Sequence, residues 1–166
     1  NLGAPVDLDV TTRVVEFNDL AGMEAALKHG DVAAILMEPA MTNVGIVLPE
    51  DGYLYAVQDL AKKYGALLII DETHTISVGP GGMTLDLGLK PDFLTIGKAI
   101  AGGIPVGTFG MTEDVANSIK KLVELEIIDT GGIGSTLAGN AMSLAAMRAT
   151  LSEVLTADAF KSMIAL

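Results

Sequence analysis

The 166-residue chain contains no cysteine. Disulfide staples and thiolate metal sites are excluded, and a reducing compartment is compatible with the composition. Basic residues are also scarce, with 10 Lys and Arg against 21 Asp and Glu and a formal charge of −11. No run of Lys or Arg interrupts that balance, which argues against a nucleic-acid surface, because phosphate binding needs a basic face. Long hydrophobic runs are missing too: stretches such as Ala66 to Ile70 fall well short of the roughly 20 residues of a membrane helix. The chain opens at Asn1 with neither a basic nor an apolar leader segment, so no signal peptide is read there. It ends inside what reads as a helix, and the expectation is a soluble, cytoplasmic protein of which this is a segment.

What is present suits a folded core. Apolar residues make up 50% of the chain and charged residues 19%, too apolar for disorder and enough for one domain. A short strand is expected around Arg13 to Phe17, then a helix from Leu20 to His29 capped by Asp19 and stopped by Gly30. Val32 to Met37 reads as a buried strand closed by Glu38-Pro39. Leu54, Val57, Leu60 and Ala61 recur at helical spacing, predicting a helix from Asp51 or Gly52 to about Tyr64-Gly65. Further strands are expected at Ala66 to Asp71, Asp92 to Ile96 and Val106 to Met111, with a helical turn near Asp86. Thr112 starts a helix, and a long Ala-, Met- and Leu-rich one runs from about Asn140 to Leu155. The methionines are expected to fill the core. Strands alternating with helices indicate an α/β fold with a mostly parallel sheet covered on both faces, a three-layer sandwich. Ligands bind such sheets beyond the carboxyl ends of the strands, where Glu38, Asp71 and Lys98 all fall.

Two stretches carry the chemistry. Leu67 to Thr75, LLIIDETHT, ends a buried strand in a carboxylate, and Thr95 to Gly103, TIGKAIAGG, ends another in a lysine. A carboxylate after an apolar run needs a cationic or hydrogen-bonding partner. An ammonium following an apolar pair is a candidate for desolvation into an amine nucleophile. The plainest reading is that Asp71 and Glu72 end a strand and cap the adjoining turn. A second is a DExH box, since Asp71-Glu72-Thr73-His74 matches its letters. That enzyme also needs a phosphate loop ending in Lys, and neither Gly79-Pro80-Gly81-Gly82 nor Gly131-Gly132-Ile133-Gly134 is followed by one.

A third reading joins Asp71 to Lys98. AAILMEP ending at Pro39, GALLIIDE ending at Glu72, FLTIGKAIAGGIPVGTFG from Phe93 to Gly110 and STLAGN from Ser135 to Asn140 succeed one another as in a known family. Through them nearly the whole chain resembles the class III aminotransferases of the fold type I pyridoxal phosphate enzymes. The resemblance implies that residues 1–153 are the middle part of the cofactor-binding large domain and that 154–166 begin a C-terminal small domain. It implies that Lys98 forms the Schiff base with pyridoxal 5'-phosphate and that Asp71 pairs with the pyridine nitrogen. A carboxylate there keeps that nitrogen protonated, so the ring can accept electrons from a substrate carbanion. Thr73 falls where the family places an aliphatic residue against the ring, and His74 where Gln or Met lies near the phenolic oxygen. Asn43 stands where ornithine-type and γ-aminobutyrate-type members have Glu. Thr136 matches a threonine that reaches the phosphate of the neighbouring subunit's cofactor, which implies a homodimer. Glu38 is read as mainly structural.

The loop AMTNVGIVLP, Ala40 to Pro49, is similar to glutamate-1-semialdehyde aminomutases and β-amino-acid aminotransferases. The mutases continue after Asp-Glu with Val-Met-Thr, whereas this chain has Thr73-His74-Thr75. The resemblance therefore implies an aminotransferase of amino acid and keto acid substrates, β-amino acids included, with the aminomutase as the alternative. A non-catalytic dimerising segment is the alternative of another class. The family's upstream phosphate loop and stacking aromatic are not in this sequence.

Overall fold

A computed structural model of the chain describes residues 6–123 and 137–166. A single helical turn, α1 (Leu8–Thr11), comes first. Asp19 then accepts from the Gly22 amide and opens α2 (Leu20–Leu27), which leads to β1 (Ala34–Met37). The amphipathic helix α3 (Tyr53–Tyr64) lies between Gly52 and Gly65, both in the left-handed region that a Cβ disfavours. It is followed by β2 (Leu67–Asp71), α4 (Gly82–Asp86), β3 (Phe93–Ile96), β4 (Thr108–Met111) and α5 (Glu113–Val123). The described chain closes with α6 (Ala141–Ala149), capped by Asn140, and α7 (Ala157–Ile164), capped by Thr156.

The strands lie in the order β1-β2-β3-β4, the first two pairings parallel and the last antiparallel. The helical crossover between β1 and β2 covers one face of the sheet. There Ile35, Leu68 and Ile70 pack on Leu54, Val57 and Ala61 of α3, with Met23 and Leu27 of α2 in the same core. Strand alternation turns Leu36 to the opposite face, where it is 70% exposed. This is an open, mixed, mostly parallel α/β sandwich, as the sequence led one to expect.

Three expectations need correction. Arg13 to Phe17 makes no strand. Instead Arg13 pairs with Asp31 through both guanidinium nitrogens at 2.7 Å, and Phe17 packs edge-on against Tyr53 at 5.0 Å. The helix from Asn140 is α-helical only to Ala149 and continues to Val154 as a wider turn. Its methionines are not core: Met142 is 68% exposed, while Ser143 and Thr150 are the buried positions. Small polar residues face inward because this helix packs on the Lys98–Ala101 turn, where Ser143 Oγ donates to the Pro105 carbonyl at 3.3 Å.

Ile70 is 1% exposed at the centre of the core. Ile70→Ala is expected to lower stability by about 2–5 kcal/mol through lost burial and a residual cavity. Urea unfolding checks this as a lower midpoint with an unchanged slope.

Candidate active site

Strand β2 carries its chain out of the core and ends in two consecutive carboxylates that alternation sends to opposite sides. Glu72 turns inward and is 0% exposed. Its Oε2 accepts from the Thr75 hydroxyl at 2.5 Å and the Met83 amide at 3.2 Å, and its Oε1 from the amide and hydroxyl of Thr84. The plain reading of a cap is right for this residue, which closes the first turn of α4 from across the loop. A Cβ at Gly82, whose φ is +65°, would collide with the Glu72 carboxylate, so glycine is required there.

Asp71 turns the other way, partly buried beside Thr95, its partner in β3. Its Oδ1 accepts from the Thr73 amide at 2.8 Å. Burial pushes its carboxyl upward, but hydrogen bonds from the Thr73 hydroxyl and amide and the Thr95 hydroxyl, with the nearby charge of Lys98, outweigh it and hold the group below the usual carboxylate range. Lys98 stands just past the end of β3 and opens a tight turn, Lys98–Ala101, at φ +49°. That left-handed backbone is costly for a residue with a Cβ and re-aims its side chain. Gly97 brings this turn close to Thr73: a Cβ there would lie 3.5 Å from Thr73 Oγ1 and 3.7 Å from the Val106 carbonyl. Lys98 lines an open depression with Gly103, Ile104, Pro105 and Val106. Contrary to the expected desolvation, Lys98 is exposed.

Asp71, Thr73 and Lys98 are thus gathered at one carboxyl edge. His74 joins a neighbouring polar group: its Nδ1 meets the Thr42 hydroxyl, which donates to Glu38 at 2.8 Å. Asn43 is exposed in the loop bounded by the Met41–Val47 bridge. Thr136 lies outside the described residues. Glu38 was placed at this edge and read as mainly structural, whereas its partner Thr42 was not singled out, the sequence signal being slight: a hydroxyl four residues after a strand-end acid.

An amine on a strained turn, a carboxylate held ionised and an apolar rim of Ile104, Pro105 and Val106 suit a flat heteroaromatic aldehyde with a cationic ring nitrogen. The fold and this edge together define an α/β protein with the layout of a pyridoxal phosphate enzyme. Residues 7–165 match the class III aminotransferase family, and the chain belongs to it. Class III aminotransferases use pyridoxal phosphate. A glutamate-1-semialdehyde 2,1-aminomutase from Anaeromyxobacter sp. (strain Fw109-5) is 39% identical over 97% of this chain and 37% of its own length. The crystal structure of a glutamate-1-semialdehyde-aminomutase from Pseudomonas aeruginosa PAO1 superimposes with a TM-score of 0.90 at 51% identity, covering 95% of this chain and 36% of that one. A β-phenylalanine aminotransferase from Variovorax paradoxus matches with a TM-score of 0.75 at 32% identity over 89% and 34%. The chain spans about a third of the length of these relatives.

The paired acids make two expectations testable. Glu72→Gln keeps the volume but sets an NH2 against a backbone N–H, and is expected to lower stability by about 1–3 kcal/mol in urea unfolding. Asp71 has a depressed folded-state pKa, so its contribution is present above the ordinary aspartate range near 3.9 and is lost as pH falls through the lower value. Asp71→Asn is expected to flatten that part of the acid limb, read as unfolding midpoints between about pH 5 and 2.

Proposed function

We propose that the protein is a pyridoxal phosphate-dependent aminotransferase that moves an amino group from an amino acid, of the α- or β-amino class, to a keto acid. The observation that carries this is the placement of Lys98 beside Asp71 at the carboxyl edge of β2 and β3. Asp71, its carboxylate held ionised by Thr73, Thr95 and Lys98, pairs with the protonated ring nitrogen. When bound, the cofactor supplies an electron sink for a carbanion at the substrate Cα. Lys98 would hold it through its amine and, when that amine is free, would move the proton at the substrate Cα as general base and then acid. Its exposed, strained turn gives the amine room for both positions.

The remaining assignments rest on the family. Thr73 packs its methyl on the ring while its hydroxyl stays on Asp71, His74 bonds the ring oxygen, and Asn43 lies in the loop above. Thr136 reaches the phosphate of the neighbouring subunit's cofactor, which makes the working unit a homodimer. Residues 1–153 belong to the large domain and 154–166 to the start of the small one. Among the described residues no helix is long and apolar enough to cross a membrane, and a cytoplasmic location is proposed on that and the absence of cysteine.

A second reading, glutamate-1-semialdehyde aminomutase, is supported by the names of the relatives at 39% and 51% identity. Thr73-His74 in place of the mutases' Val-Met favours the aminotransferase. The two differ in whether a separate keto acid is consumed. Holoprotein given amino donors is expected to turn over only when a keto acid is added, and isomerisation of the semialdehyde without one would replace the first reading by the second.

Borohydride reduction of the holoprotein is expected to fix a pyridoxyl group on Lys98, read by peptide mass. A label on another lysine would overturn the assignment. Lys98→Ala is expected to lose the visible absorbance band while staying folded. Asp71→Asn is expected to keep the band and lose turnover by about 10²-fold or more, the scale of a lost electrostatic partner at the reacting centre.

A further inference from the structure

The carboxyl edge holds a second polar group that the lysine and aspartate do not use. Glu38 comes directly after the last residue of β1, and the next turn of chain brings Thr42 back so that its hydroxyl donates to Glu38 Oε2 at 2.8 Å. The same hydroxyl oxygen contacts His74 Nδ1, and that nitrogen is 3.8 Å from Glu38 Oε2. All three side chains are partly buried. They come together because β1 and β2 are parallel with Met37 opposite Ile70, which brings the residues after both strands to one level.

A proton count settles the direction of the contacts. A hydroxyl has one proton, and a carboxylate only accepts. Thr42 gives its proton to Glu38, so the contact with the imidazole is one in which Nδ1–H donates to Thr42 Oγ1. The ring is then held in one orientation with Nδ1 committed, and among the described residues Nε2 has no partner and is the nitrogen left for a ligand. A pyridoxal ring has three polar handles near this edge: the ring nitrogen, taken by Asp71; the aldehyde carbon, taken by Lys98; and the ring oxygen. His74 follows β2 and meets the residues after β1, so it stands on the β1 side of Asp71 while Lys98 stands on the β3 side.

We propose that Glu38 and Thr42 are positioning residues for His74, committing Nδ1–H to the Thr42 hydroxyl so that Nε2 is presented to the ring oxygen of the bound cofactor. This rests on the aminotransferase reading and adds two residues to it. The ring oxygen shares the cofactor's conjugated system, so its hydrogen bonding is visible in the absorbance spectrum. That readout would not respond to a purely structural loop contact.

The test compares the spectra of the substrate-free holoenzyme for wild type, His74→Phe, Thr42→Val, Thr42→Ser and Glu38→Gln, with urea midpoints for each. The visible band is expected to shift or lose intensity in His74→Phe and to change in the same way in Thr42→Val and Glu38→Gln. Thr42→Ser, which keeps the hydroxyl, is expected to return the wild-type band. The kcat of Thr42→Val is expected to fall by about 10-fold, within the range a misplaced group costs, and Thr42→Ser to restore it. A wild-type band in Thr42→Val, or a Thr42→Ser protein that behaves like Thr42→Val, would overturn the positioning role. Failure of the full-length wild-type protein to bind cofactor would overturn the aminotransferase reading itself, an outcome its spectrum separates from the others. Should Glu38→Gln unfold, the Val and Ser variants at Thr42 still decide the matter.

Discussion

A carboxylate removed from water costs several kcal/mol unless donors replace the lost hydration, and Glu72 meets that demand by drawing the Thr75 hydroxyl and the first turn of α4 onto both of its oxygens. The carboxyl edge of the sheet depends on this exchange. Glu72 is also tied by its backbone, its amide donating to the Thr95 carbonyl at 2.8 Å and its carbonyl accepting from Ile76 at the same distance. Fixed at both backbone and side chain, it leaves Thr73 little freedom. The Thr73 amide is one of the donors that hold the Asp71 carboxyl down. The inward acid therefore stabilises the surroundings in which the outward acid stays ionised.

That division comes from strand geometry. Consecutive residues of an extended chain face opposite sides, so an Asp-Glu pair at the end of β2 places one charge in the interior and one at the opening. A single acid could not do both, because the donors that saturate Glu72 would leave no lone pair for a ligand. The interior acid needs a glycine at position 82, where any Cβ would meet its oxygens. The outer acid is held by donors from Thr73 and Thr95, with the charge of Lys98 on the turn after β3 as the smallest contribution.

Much of this could be read from the residues. The apolar run ending in Asp71, the left-handed stop at Gly65 and the helical spacing of Leu54, Val57 and Ala61 each reflect one local rule, and β2 and α3 fall where those rules place them. The expected strand at Arg13 to Phe17 failed because apolar character alone does not supply a sheet partner: Val14 is 90% exposed and the segment is held by Arg13 and Phe17 instead. The positive φ of Lys98 has no sequence signature, since lysine does not favour that region. Exposure of Met142 was also hidden, because Ala, Met and Leu at helical spacing look alike whether the buried stripe is made by them or by Ser143 and Thr150. The Glu38, Thr42 and His74 group was beyond reach for a different reason. It depends on the register between β1 and β2, a tertiary fact.

The same register explains why polar groups on three strands can serve one ligand. Parallel strands end at one level, so the residues at or just past the ends of β1, β2 and β3 emerge side by side, as Glu38, Asp71 and the Gly97-Lys98 turn do. An antiparallel neighbour brings the chain back the other way, and β4 accordingly adds no acid or amine at this edge: its Thr108 stands opposite Ile96 and the chain reaches Met111 beside Phe93, at the far end. Chemistry at the carboxyl edge is thus confined to the parallel part of the sheet. The return from β3 to β4 contributes shape instead, through Ile104, Pro105 and Val106 on the rim beside Lys98.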